Sequence, residues 1–98
     1  MFDVTREYEL VSPDGARESV VLRVYNCRAM DVDWGADFSI EGLTGYDRAR
    51  TVYGVDPIQC VLNALHVARA VLSVPRPPEQ GHLEWLGAPI DADAGIRL

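Results

Sequence analysis

Residues 54–73 are the only segment long and periodic enough to specify a helix from sequence alone. Asp56 can accept hydrogen bonds from the free N–H groups of a first turn, and Pro57 suits the first helical position, where no N–H is needed. Gln59 completes a capping-box spacing with Asp56. Ile58, Val61, Leu62, Leu65, Ala68 and Leu72 form one apolar face, while Cys60, Ala64, Val67 and Val71 form a second beside it. Only a narrow stripe of Gln59, Asn63, His66, Arg69 and Ser73 is left for water. A helix this apolar needs cover on two sides, from a sheet on one and from another part of the chain or a partner on the other. It is a scaffold element rather than a catalytic one.

Strands come first in the chain. Phe2 to Val11 alternates, with Phe2, Val4, Tyr8 and Leu10 on one face and Asp3, Thr5, Glu7 and Glu9 on the other; Arg6 is the single inward interruption. Ser12-Pro13-Asp14-Gly15 reverses the chain, because proline presets the second position and Asp-Gly tolerates the conformations that follow. Glu18 to Cys27 is rich in β-branched residues, with Val20, Leu22 and Val24 opposite Val21, Arg23 and Tyr25. Trp34 to Leu43 resumes the alternation: Ala36, Phe38 and Ile40 point inward, and Asp37, Ser39 and Glu41 point outward. Arg48 to Tyr53 is a short fourth strand. Loops this short demand antiparallel neighbours. The outer face is expected to carry Glu7, Glu9, Arg23, Tyr25, Asp37, Ser39 and Glu41, together with Arg48 and Arg50.

Beyond the helix, Val74 to Pro78 forms a stiff reversal. His82 to Leu86 supplies a short edge strand or an extended cover, and residues 87–98 are expected as a loose tail. Trp85, Leu86, Ile90 and Ile96 are the candidates to cover the helix's second apolar face. The predicted fold class is α+β: an antiparallel sheet of four to five strands with one helix packed across one face, as a single domain over residues 1–98.

Fifteen acidic residues face nine basic ones, all of them arginine, giving a net charge of −6. Nucleic-acid binding is disfavoured, since phosphate contacts need a basic surface, and basic partners are favoured. No apolar run approaches the roughly 18 to 20 residues of a membrane span, and the N-terminus lacks a signal-peptide layout. A soluble cytoplasmic protein is the expectation. Cys27 and Cys60 sit in apolar surroundings, as buried thiols do.

The helix entry Tyr53-Gly54-Val55-Asp56-Pro57-Ile58-Gln59 with Ala64-Leu65, the run from Trp34 to Ile40-Glu41-Gly42-Leu43, and Trp85-Leu86-Gly87 resemble a family of short bacterial proteins known only as a domain of unknown function. The resemblance spans residues 20 to 87. It implies no activity, cofactor or catalytic residue. In type rather than motif, a small acidic strand-rich domain with one helix is also similar to immunity proteins that neutralise bacterial toxins.

Asp31-Val32-Asp33-Trp34-Gly35-Ala36-Asp37 has the alternating carboxylates of a calcium loop. Such a loop needs an oxygen ligand at its fifth position and a glutamate at its twelfth, and these positions are Gly35 and Gly42. No metal is expected. His66 and His82 have no recognisable companions for acid–base work, and there is no nucleophile elbow, phosphate loop or Cys-x-x-Cys. No enzyme and no cofactor are expected. The leading expectation is a small acidic binding protein, an immunity-type inhibitor that occludes a basic toxin or effector, with Tyr25, Asp31, Asp33, Trp34, Asp37 and Glu41 as its partner-binding residues. The alternative is a small-molecule or accessory domain, with a pocket on the outer sheet face or between helix and tail, in one copy or across a homodimer.

Overall fold

The computed structural model describes residues 3–98. Phe2, assigned above to the first strand, lies outside the described residues. The elements in order are β1 (Asp3–Val11), β2 (Arg17–Ala29), β3 (Trp34–Glu41), β4 (Arg50–Gly54), α1 (Pro57–Leu72), β5 (His82–Trp85) and β6 (Ala88–Pro89). They build one antiparallel sheet in the order β4-β3-β2-β1-β5-β6, with α1 packed on β2, β3 and β4. The fold is α+β as expected, but the sheet has six strands rather than four to five. The additional strand, β6, arises from a hairpin at Leu86-Gly87, both with positive φ (56° and 82°). Two successive left-handed residues close a tight hairpin, usually written Asn-Gly or Asp-Gly; leucine gives no such sign.

Around β1 and β2 the register follows from the turn. Ser12 N–H donates to the Ala16 carbonyl (2.8 Å), Gly15 N–H donates to the Ser12 carbonyl (2.9 Å), and Gly15 takes φ 88°. Pairing then runs unbroken from Val11↔Arg17 to Asp3↔Tyr25. Between β2 and β3 the register shifts between Tyr25 and Arg28, where Asn26 adopts φ 56°. This bulge leaves Tyr25 on the outer face beside Asp37 and lets Cys27 line an apolar crease with Pro57, Ile58, Val61 and Leu62.

The cap of α1 forms as the sequence predicts: Asp56 Oδ1 accepts from Gln59 N–H at 2.8 Å, with Pro57 opening the helix. The reciprocal half of a capping box does not form, because Gln59 Nε2 reaches forward to Asn63 Oδ1 (2.8 Å). The helix's buried line is Cys60, Ala64, Ala68 and Leu72. This corrects the expected faces. Small side chains at every fourth position let the helix settle close to the sheet, and the bulkier Leu65 and Val71 flank the contact half-buried. Ile58, expected in the core, is 74% exposed.

The tail is ordered, not loose. Tyr8 Oη donates to the Ala94 carbonyl (2.7 Å), Arg6 Nη1 to the Gly95 carbonyl (2.7 Å), and Arg69 Nη1 to the Ile96 carbonyl (3.3 Å). Arg6 also stacks over the Trp85 ring at 3.9 Å. The inward arginine of β1 thus anchors the chain's far end. Ala94 and Ile96 enter the core, with Trp85 and Ile90 packed against it, whereas Leu86 stands 85% exposed at the hairpin tip. Of the four residues expected to cover the helix's second apolar face, three pack with the core, but they lie near Leu65 of the first face, and Val67 of the second stays 41% exposed.

Candidate functional site

The sheet face away from α1 is a lattice of paired charges. Arg23 pairs with Asp3 (2.8 Å) and stacks on Tyr25 (4.1 Å). Arg17 bridges Glu9 (3.4 Å) and Glu84 (3.1 Å), and His82 meets Glu84 (2.8 Å). Asp37 has the most side-chain partners, with Arg28 at 3.1 Å, Asn26 Nδ2 at 3.0 Å and Thr51 Oγ1 at 2.8 Å. Two arginines expected here lie elsewhere. Arg50 is opposite Phe38 on the helix side and stacks over Tyr46 (4.7 Å), and Arg48 precedes β4 in the loop.

Burial pushes the Asp37 carboxyl upward, but the bonds from Asn26, Thr51 and Arg28 outweigh it and hold the group below its ordinary value. With the folded value below the unfolded one, ionised Asp37 adds stability above about pH 4 and loses it as pH falls through the folded value. Asp37→Asn is therefore expected to cost about 1 to 2 kcal/mol at neutral pH. The gap from the parent should shrink on acidification, which denaturant midpoints at several pH values will read.

The six residues singled out in the sequence fall into two groups. Tyr25 and Asp37 are cross-strand partners on the outer face. Glu41 shares that face, four residues along β3 and so roughly 13 Å away. Trp34 alternates with Ala36, Phe38 and Ile40 onto the helix side, opposite Tyr25. It pairs with Gly54 at the end of the sheet where the β2–β3 turn also lies. That turn holds Asp31 and Asp33 and is closed by a bond from Met30 N–H to the Asp33 carbonyl (2.8 Å).

At this turn end the chain exposes apolar side chains that the sequence reading did not single out. Val32, between the two aspartates, is 96% exposed. Val55, which follows the Trp34-paired Gly54, is 82% exposed, and Ile58, the second residue of the helix, is 74% exposed. Asp31 and Asp33 have no cationic partner among the described residues. Asp56 spends one oxygen on the helix N-terminus. Three exposed apolar side chains and three carboxylates thus share this end of the sheet. One sequence signal bears on Val55: a residue before the cap ordinarily staples to the fourth helical residue, here Cys60. Cys60 is buried under the helix, its Sγ on the Val52 carbonyl (3.3 Å), so Val55 is left in solvent.

A second concavity, about 720 Å³, lies between β1, the β5–β6 hairpin and the tail. Leu22 and Val24 form its floor, and Leu65, Ile90 and Ile96 its walls. Among the described residues no three of His, Cys, Asp or Glu converge as a metal set, and no helix is long and apolar enough to cross a membrane. Burial pushes the Cys60 thiol up, away from the thiolate that a reactive cysteine needs.

Comparisons with curated proteins and with solved structures return no match. A family model described as a domain of unknown function (DUF6968) matches residues 4–96, nearly the whole described fold, and the chain belongs to that family.

Proposed function

We propose that this is a binding protein that docks a basic protein partner at its turn end, as an immunity-type inhibitor of a toxin or effector in the cytoplasm. The observation that carries the reading is the exposure of Val32, Val55 and Ile58 at the same end of the sheet as Asp31 and Asp33, which have no cationic partner among the described residues. Apolar side chains held in water gain most from a partner's surface, and carboxylates at their rim select and steer a cationic one. The outer sheet face is a poorer candidate, because arginines already pair with four of its acids, Asp3, Glu9, Asp37 and Glu84. Asp37 belongs to that internal pairing, so reversing its charge would report on folding rather than on docking.

Association kinetics with the partner test this. Asp31→Arg with Asp33→Arg should slow association at low salt, with the deficit fading as ionic strength shortens the Debye length to about 8 Å. Val32→Ser with Ile58→Ser should leave the association rate near the parent's and speed dissociation. Unchanged kinetics in both variants would remove the turn end from consideration. A small-molecule reading has one observation in its favour, the 720 Å³ groove with its apolar floor, a volume suited to a drug-sized ligand.

A further inference from the structure

The sheet protects its edges unevenly. On β4 the residues whose backbone groups face away from β3 are Thr51 and Tyr53, and Asn63 Nδ2 takes the Tyr53 carbonyl at 2.9 Å. At the other end β6 has only two residues and finishes on proline. Between them, β1 pairs with β2 along its whole length but with β5 only from Glu9 to Val11. The Ser12–Ala16 bond fixes the alternation: Leu10, Tyr8, Arg6 and Val4 direct their backbone groups to β2, and Glu7, Thr5 and Asp3 direct theirs the other way. The hairpin turns back after Trp85, so nothing among the described residues pairs with those three, and all are exposed. The groove runs along this bare stretch, lined by Val4, Thr5, Arg6, Ile96 and Leu98.

We infer that the open edge of β1 from Asp3 to Glu7 accepts an extended segment of a protein partner in which basic and apolar residues alternate. Such a segment continues the sheet past β5 by main-chain hydrogen bonds, and every second side chain enters the groove beside Val4, Ile96 and Leu98. The remaining side chains lie on the outer face next to Glu7, whose carboxylate has no cationic partner among the described residues and is complemented by a basic residue, while Asp3 is already held by Arg23. Arg6 does not oppose this, since the Gly95 carbonyl and the Trp85 ring hold its guanidinium. A second copy of the chain fits less well: antiparallel self-pairing centred on Thr5 sets Asp3 directly against the other copy's Glu7, an unfavourable pair. The site uses none of the turn-end residues, so either surface stands if the other fails.

Amide exchange followed by NMR provides the test. In the free protein the amides of Thr5 and Glu7 should exchange rapidly, while those of Arg6 and Tyr8, bonded to β2, should be protected. The probe is a capped nine-residue peptide alternating lysine with valine. At saturation it should slow exchange at Thr5 and Glu7 by about tenfold or more, and its glutamate counterpart should bind about tenfold more weakly or worse. Thr5→Pro removes the central edge N–H without taking a bond from β2, and it should weaken the lysine peptide by about tenfold or more while β2 amides stay protected. Should that variant fail to fold, Leu98→Asp at the groove rim should weaken binding instead. Unchanged exchange at Thr5 and Glu7 under saturating peptide would overturn the inference. So would equal affinity for the glutamate peptide, or a concentration-dependent dimer that Thr5→Pro dissolves.

Discussion

Leu72→Ala should lower stability by about 2 to 5 kcal/mol, whereas Leu65→Ala should cost only about 1 kcal/mol. Leu72 is 1% exposed and closes the buried line of the helix against the core, so its truncation leaves an enclosed cavity. Leu65 lines the groove, where a shortened side chain merely widens a space that already opens to water. Helix periodicity alone makes the two leucines equivalent. Denaturant midpoints of the two variants at unchanged slope will separate them, and equal losses would mean that the helix is rotated from the orientation described.

Gly54→Ala should destabilise by about 2 to 3 kcal/mol, although it adds a single methyl group. A Cβ there collides with the backbone of Gln59 and Cys60, atoms that cannot swing aside as a flexible side chain can. The first turn of α1 must then lift from β4, opening the contact of Cys60 with Val52. Faster alkylation of the Cys60 thiol should accompany the lowered melting temperature. Gly45, where an added Cβ meets nothing within 4 Å, offers the control: alanine there strains only its own backbone at φ 89°.

Those two variants bracket what the sequence made legible. Asp56-Pro57 located the helix start to the residue, since capping is a local event. Alternation in β2 and β3 likewise assigned the inner residues Val20, Leu22, Val24, Ala36, Phe38 and Ile40 correctly, whereas in β1 it buried Tyr8 but left Val4 45% exposed. Trp34 shares the parity of Ala36, so alternation already set it apart from Tyr25. The helix's rotation was not legible, because close approach favours small residues over the bulkier ones that mark an apolar face. Nor was the pairing of Asp37, which depends on a bulge that brings Asn26 and Arg28 beside it. The tail's order rests on bonds from Arg6 and Tyr8 to residues nearly ninety positions away, beyond any local pattern.

Docking of a basic protein at the turn end is most directly measured by capture from native lysate on immobilised protein. The parent chain is run in parallel with Val32→Ser/Ile58→Ser, a variant that keeps every buried side chain. The expected result is a basic protein retained by the parent, eluted by raised salt, and lost from the variant. Retention of the same partner by both proteins, or capture only of acidic proteins by the parent, would contradict it.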